Sequence, residues 1–510
     1  MSPGFFERAV RTPLHRILVR LLSWTEPRPL PSSPAALRET MLHREIRFPS
    51  WLVGCTLWVM LVVVLYQELG PGVGKALAIA MLTGLATSLF VFYLRRDHPE
   101  LLEDEEAVSL LGVILIVAAW GTELWVESAR MTPKMSSMGM PLAAAPILVS
   151  ILLSPRLAVI VAVALSLLYG LLNGFSFNEG MVGLLGGLSG VAASLKIRSR
   201  TDVARVGLWV ALAQGLTVLS LGLLRDWSAA RIVSSIWWAL GGGVASALIV
   251  SVVLPYLENF FSRLTSMRLS ELCDVNHPLL RRMSLEAPGT YHHSLIMASL
   301  ASAAAEAVGA NALLCRAGAY FHDIGKLVKP EYFVENQGAL GNPHDPLPPS
   351  MSRLVIQSHV KEGTALARQY GLDKALADFI GTHHGTSRIE FFYRRALERE
   401  EDLATVGEDD YRYPGPKPFN RETAILMLAD GVEASARTLD DPTPQRLRDQ
   451  IKEILDQKMA DEQFDNVALT FQDLHRIAES FFNTLTGVYH NRVKYPGQEG
   501  ASRSSDEREP

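Results

Sequence analysis

The sequence predicts an all-α chain in two parts: a polytopic helical membrane bundle of about eight spans, followed by an all-α polar domain. Three observations carry this. From Trp51 to about Leu257, apolar runs follow one another with charges almost only between them, and a membrane helix needs roughly 20 mostly apolar residues. From 257 to 490 the apolar residues recur at helical spacing, with no alternating strand pattern. The length, 510 residues, exceeds that of one ordinary domain. The bulk values (48% hydrophobic, 20% charged, net charge −5) average over the two parts and hide the split. A secreted disulfide scaffold, a disordered chain and a simple cytosolic enzyme are all excluded. Cys55, Cys273 and Cys315 have no paired spacing, which fits a reducing compartment without a zinc ribbon. A pI near 6.3 gives no general argument for nucleic-acid binding, and no nucleic-acid polymer is expected as a partner.

The first element, 1–49, carries Arg8, Arg11, Arg16, Arg20, Arg28, Arg38, Arg44 and Arg47. It lacks the apolar core of a signal peptide. The positive-inside rule keeps it in the cytoplasm. The spans are expected at about 50–66, 75–94, 107–126, 137–154, 157–175, 181–195, 206–224 and 232–255, within a membrane region 50–256. An even count returns the chain to the cytoplasm near Leu257, so the polar half is expected there, at the inner (plasma) membrane. Apart from Lys75 at the very edge of the second span, only Glu123 is charged within a span, near its outer end, which argues against a transporter. Gly183, Gly186, Gly187 and Gly190, like Gly241 and Ala245, put small residues on helix faces and predict close helix packing.

The polar half, 257–496, predicts helices over 294–309, 352–371, 374–384 and 421–439, with Gly and Pro between them at Ala287-Pro288-Gly289, Gly341-Asn342-Pro343 and Tyr413-Pro414-Gly415-Pro416. The polar tail 497–510 reads as disordered.

Histidine distribution is the informative signal. Residues 1–276 contain His15, His43 and His98, whereas the remainder contains ten. Five segments place His or Asp on a predicted helix or its edge: Tyr291-His292-His293-Ser294, His322-Asp323-Ile324-Gly325-Lys326, Ser358-His359, His383-His384-Gly385-Thr386 and Leu428-Ala429-Asp430-Gly431. His and Asp bind Fe, Mn, Zn or Co at neutral pH. One such histidine is more often a cap or a surface residue, but five separated segments together point to a metal site. His277, His344, His475 and His490 lack that support and read as structural, His344 because it lies in the Pro-rich loop 341–349.

The order His293, His322-Asp323, His359, His383-His384, Asp430 resembles the HD-domain metal phosphohydrolases. The wording APGTYHHS (287–294), GAYFHDIGK (318–326), PEYFVENQ (330–337), SHVKEG (358–363), HHGT (383–386), YRYPGPKP (411–418) and MLADGVEA (427–434) is similar to the membrane-bound 7TM-HD family. Its characterised members are cyclic-di-AMP phosphodiesterases. The resemblance runs from about Val91 to Pro496. Full-length members carry a large extracellular domain between a first helix and the seven-helix bundle. Here only Gln67 to Gly74 separate the first two spans, so one anchor helix plus seven is expected without that domain.

The resemblance implies two divalent transition-metal ions, Fe or Mn. One would be held by His293, His322, Asp323 and Asp430, and the second by Asp323, His359, His383 and His384, with Asp323 bridging. His322, Asp323 and Lys326 are the implied catalytic set. The implied reaction hydrolyses cyclic-di-AMP to linear 5′-pApA with a binuclear-metal-activated hydroxide. Lys326, one helical turn after the His-Asp pair, is either aimed at a phosphate or simply solvated. Arg412 and Lys417 are weaker phosphate candidates, and His292 is expected to support its ligand neighbour.

Two other readings compete. Another HD hydrolase would act on cyclic-di-GMP or (p)ppGpp, but the Gly-Tyr-Pro expected of a cyclic-di-GMP enzyme does not occur, and His359, His383 and His384 supply what a second metal needs. A membrane receptor that only binds a nucleotide would show gaps in the ligand set, and none is missing. The expected partners are a cyclic dinucleotide and the lipid bilayer, with a homodimer left open.

Overall fold

The computed structural model describes residues 50–69, 72–132, 135–197, 199–337, 341–399, 407–439 and 442–490. The basic segment 1–49 and the tail 497–510 lie outside the described residues. Two compact units divide at Val117/Ala118. The first holds α1 (Ser50–Leu69), α2 (Val73–Asp97), which packs on α1, the short α3 (Pro99–Glu103) and the start of α4 (Glu105–Met131). The second holds everything that follows.

After α4 come a 3₁₀ turn (Ser137–Gly139), α5 (Ala144–Leu152), α6 (Pro155–Leu172), α7 (Phe177–Ser194), α8 (Arg200–Leu224) and α9 (Ala229–Phe260). Among the described residues five helices (α2, α4, α6, α8 and α9) are long and apolar enough to cross a membrane. The eight-span expectation is not matched by this measure, although each expected span falls on helical residues. Span 137–154 is broken: Pro141 has no N–H to continue the 3₁₀ turn, so α5 starts afresh three residues on. Span 181–195 lies on α7, a continuous helix that opens with Asn178 and Glu179 and carries Gly183, Gly186, Gly187 and Gly190 along it.

Those glycines serve contact. A Cβ on Gly186 would lie 2.5 Å from the Gln214 amide of α8, and one on Gly190 2.9 Å from Ile147 of α5. On α9 the close approach is at Gly243, whose Cβ would stand 2.4 Å from the Ala211 backbone nitrogen, whereas Gly241 faces open space. Small residues here let backbones approach and gain dispersion contact, the means by which helices associate without a hydrophobic drive in lipid.

The expected boundary at 256/257 falls inside α9, which runs on to Phe260 because its apolar periodicity outlasts Pro255. Ser262 then takes a positive φ of 47° and turns the chain. Thr265 caps α10 (Ser266–Leu272), and its hydroxyl donates to the Glu258 carboxylate. Arg200, at the start of α8, pairs with Glu271 of α10 at 2.7 Å.

The remaining helices are α11 (Pro278–Glu286), α12 (Pro288–Val308), α13 (Ala312–Phe321), α14 (Pro349–Gln369), α15 (Lys374–Thr382), α16 (Glu390–Arg399), α17 (Arg421–Arg437), α18 (Pro444–Ala460) and α19 (Phe471–His490), with 3₁₀ turns at Ile324–Val328, Pro330–Tyr332, Val334–Asn336 and Glu408–Tyr411. Among the described residues there is no strand, only one isolated bridge between Arg388 and Arg412. The four predicted helices are present within a few residues, except that α12 starts earlier. Pro288-Gly289 forms its first turn rather than a break, because a proline at N1 needs no donor there. α12 is the central post. Ala298, Ala301, Ala304 and Ala305 are buried, and their small size admits α13, α17 and α19 closely. Ile477, Phe481 and Leu485 of α19, four residues apart, form one stripe on that core. Each such buried side chain contributes roughly 1.5–3 kcal/mol.

Candidate metal centre

Five backbone segments deliver the seven sequence-predicted ligands to one buried point. His293 lies in the second turn of α12. His322 ends α13, and Asp323 opens the 3₁₀ turn Ile324–Val328, which Ile324 and Leu327 anchor in the core. Gly325 follows because nothing larger fits: a Cβ there would stand 1.8 Å from the His359 carbonyl oxygen and 2.5 Å from the Gly363 nitrogen. The turn thus lies directly on the backbone of α14, which carries His359. His383 and His384 follow α15, and Gly385, at φ 52°, reverses the chain behind them. Asp430 projects from α17.

The two oxygens of Asp323 face different histidine pairs. Oδ2 is 3.3 Å from His322 Nε2 and 3.9 Å from His293 Nε2, while Oδ1 is 3.4 Å from His359 Nε2 and 3.5 Å from His383 Nε2. Asp430 also straddles, with Oδ1 3.2 Å from His293 Nε2 and Oδ2 3.5 Å from His384 Nδ1. The potential donor atoms of His293, His322 and Asp430, of His359, His383 and His384, and of His322, Asp323 and His383 cluster within 4.8 Å in each set.

Four imidazoles are oriented from behind. Nδ1 of His322 donates to the Ala319 carbonyl at 2.8 Å, that of His359 to Ile356 at 2.5 Å, and that of His383 to Ile380 at 2.9 Å. His293 Nδ1 instead donates to the Glu433 carboxylate at 2.5 Å. For His322, His359 and His383, holding the proton at Nδ1 leaves the Nε2 lone pair directed inward, as metal-binding histidines require. His384 presents Nδ1, and its ring stacks on Tyr413 at 4.3 Å between centroids.

Burial pushes His359 down to about 4, only partly opposed by Asp323, so its imidazole is neutral and able to donate a lone pair. Burial would raise Asp323, but the Lys326 ammonium and the His322 imidazole hold it well below the usual carboxylate range. His293 moves the other way. Burial lowers it, but hydrogen bonds to Asp430 and Glu433 carry it up to about 10.

A metal fits these residues. His322 Nε2 and Asp323 Oδ1 are buried yet have no hydrogen-bond partner among the described residues. Such orphaned atoms cost about 1–3 kcal/mol each unless something else engages them. A donor set of imidazole nitrogens and carboxylate oxygens suits first-row transition ions.

The candidate phosphate cations are already engaged. Lys326 Nζ sits between Asp323 Oδ2 at 2.6 Å and Glu335 Oε1 at 2.7 Å, so it is neither solvated nor free to face an anion. Arg412 pairs with Glu408 and Asp461, and Lys417 with Asp465. His292 is exposed and supports nothing in the site. His344 is structural as expected, its Nε2 bonded to the Tyr332 carbonyl at 3.0 Å. The sequence reading missed Glu433, Glu335 and Tyr413. Glu433 lies three residues after Asp430, on the same helix face, and that spacing was the available signal. Glu335 belongs to the PEYFVENQ segment, whose Asn336 also accepts from the N–H groups of Gly289 and Thr290 and so caps α12.

The fold and the site together define a helical membrane bundle joined to a His/Asp hydrolase domain of the kind that uses divalent metal. Residues 74–265 match the family described as 7TM receptor with intracellular HD hydrolase, and residues 290–435 match the HD domain. Both matched segments are thus similar to those of the membrane-bound HD family. It is 37% identical over 424 residues to the cyclic-di-AMP phosphodiesterase PgpH of Bacillus subtilis, covering 82% of this chain and 59% of that protein. It is 37% identical over 360 residues to PgpH of Listeria monocytogenes, covering 70% of this chain and 50% of the relative. The crystal structure of the L. monocytogenes PgpH HD domain in complex with cyclic-di-AMP aligns with 42% identity and a TM-score of 0.41, covering 42% of this chain and all of that one. The chain thus spans about half the length of the curated relatives it matches.

Proposed function

We propose that this chain is a membrane-anchored, metal-dependent phosphodiesterase that hydrolyses cyclic-di-AMP to linear 5′-pApA. The observation that carries it is the convergence of seven His and Asp donors, five of them buried and His384 and Asp430 half-buried, in a chain whose relatives are named cyclic-di-AMP phosphodiesterases. In this reading His293, His322, Asp323 and Asp430 hold one ion and Asp323, His359, His383 and His384 the other. Fe or Mn suits this mixed nitrogen and oxygen set better than Mg, which prefers oxygen. Ions bound there supply Lewis acidity and an activated water for in-line attack on phosphorus.

The chain's own contribution is positional. Asp323 spans the two ligand groups, and Lys326 keeps its carboxylate ionised while itself balanced by Glu335. The carbonyls of Ala319, Ile356 and Ile380 and the carboxylate of Glu433 aim the imidazoles. We assign residues 50–256 to the membrane region and 257–496 to the hydrolase domain, which faces the cytoplasm at the inner (plasma) membrane. No nucleic-acid polymer is part of this reading.

The test is turnover of cyclic-di-AMP and cyclic-di-GMP by the full-length protein in lipid, loaded with Mn or Fe. The expected result is 5′-pApA as product, with cyclic-di-AMP preferred and no turnover by D323A. Hydrolysis of cyclic-di-GMP alone would overturn the substrate. A reporter fused at the C-terminus that is active only outside the cell would overturn the topology.

A further inference from the structure

A cyclic dinucleotide carries two phosphodiesters, and a metal centre engages the one it cleaves. The other phosphate still brings a negative charge, which needs a cation not already neutralised by the protein. The turn that follows the paired histidines, 383–388, is ringed by cations. Arg388 is matched by Glu390 at 2.7 Å and Glu408 at 3.3 Å. Arg412, which donates to the Thr386 carbonyl at 2.9 Å, is matched by Glu408 at 2.7 Å and Asp461 at 2.8 Å. Lys417, whose Nζ also donates to the Glu462 carbonyl next to Gln463, has Asp465 at 3.6 Å.

Lys458 of α18 differs. Its Nζ donates to Ser387 Oγ at 2.7 Å, and among the described residues no carboxylate stands within 4.0 Å of it. It is partly buried, and burial lowers it from the ordinary lysine value, with only the distant fields of Asp430 and Asp461 opposing. An ammonium drawn from water beside a neutral hydroxyl has unsatisfied donors and unbalanced charge. The place is also rigid. Gln463, fully buried, accepts from the Thr386 N–H at 2.9 Å and donates to Thr386 Oγ1 at 2.9 Å, which fixes the turn to the end of α18. Ser387 is only three residues from His384, and the Ser387 N–H donates back to the His384 carbonyl at 3.0 Å.

We propose that Lys458, presented by Ser387, binds the phosphate of the bound dinucleotide that is not cleaved. Lys458 is therefore a substrate-contacting residue outside the metal set, and it selects substrates with two phosphates over single diesters. The proposal rests on the phosphodiesterase reading, and its test separates the two. Full-length protein with Mn is assayed on cyclic-di-AMP and on bis(p-nitrophenyl) phosphate, a diester with one phosphate, for wild type, K458M, K458Q and K458R. K458Q can keep a hydrogen bond to Ser387 and decides the matter if K458M does not fold.

The expected result is a KM for cyclic-di-AMP raised about tenfold or more in K458Q, the loss expected for one charge-assisted hydrogen bond. Its kcat/KM on the one-phosphate diester stays within about twofold of wild type, metal content is unchanged, and K458R recovers most of the loss. Equal effects on both substrates, or no change in KM, would overturn it. If wild type fails to cleave cyclic-di-AMP, the substrate reading falls. Inhibition of the one-phosphate reaction by 5′-pApA then tests Lys458 alone: inhibition about tenfold weaker in K458Q supports it, and unchanged inhibition refutes it.

Discussion

Lys326 holds its ammonium 2.6 Å from Asp323 Oδ2, while the other oxygen of the same carboxylate faces His359 and His383. A single carboxylate thus meets a fixed cation and four imidazoles, and its charge state depends on all of them.

Removing Asp323 separates the two ligand groups. D323A is expected to lose turnover to background and to bind less metal per chain, measured by elemental analysis after gel filtration. Near-normal turnover with full metal content would exclude a bridging role.

Glu433 acts through His293. E433Q can hold the ring only with a neutral amide, so metal affinity is expected to fall about 10- to 100-fold. Competition with a chelator measures this, and an unchanged affinity would show that the 2.5 Å contact does not orient the ligand.

K326M leaves Asp323 and Glu335 facing each other without their cation. Breaking a buried pair in this way costs about 3–5 kcal/mol. The metal-free protein is expected to lose that much stability in denaturant unfolding of its hydrolase domain.

The same contact sets an acid limit. Burial raises Glu335, but the Lys326 ammonium outweighs it and holds the carboxyl below its ordinary value. Because the folded value is depressed, its stabilisation is complete above the unfolded carboxyl value, about 4.3, and is lost as pH falls below it. Thermal melts of E335Q against wild type at pH 7 and at about pH 2.5, well below the unfolded carboxyl value, are expected to converge on acidification.

G325A would set a methyl group 1.8 Å from a carbonyl oxygen. Backbone cannot yield as a side chain can, so the cost is about 1–3 kcal/mol or more. Metal content should fall with stability, since the His322-Asp323 turn must lift off α14. A stable, fully loaded G325A would contradict that packing.

How much of this was legible in the sequence depends on the distance over which each residue acts. The clustering of the candidate ligands was legible because His322-Asp323 and His383-His384 sit at helix ends, where a short motif defines its own geometry. Glu335 and Lys458 were not. Their roles arise from contacts with Lys326 and with Ser387, the latter 71 residues away in the chain, and no local pattern encodes such a meeting. The count of about eight spans is not matched among the described residues for local reasons: Pro141 divides one apolar run, and Asn178, Glu179 and the glycines dilute the apolar content of α7. For Arg412 and Lys417 the sequence shows the charge but not the carboxylates that pair with it.

The four rear contacts of the imidazoles differ in one respect that bears on how the site can change over generations. Three are made by main-chain carbonyls, which every amino acid possesses, so no point mutation at Ala319, Ile356 or Ile380 deletes the acceptor. The fourth is the Glu433 side chain, which one nucleotide change can replace. Heritable adjustment of ligand basicity is therefore concentrated at the edge of the centre occupied by His293, and the opposite edge is shielded from it.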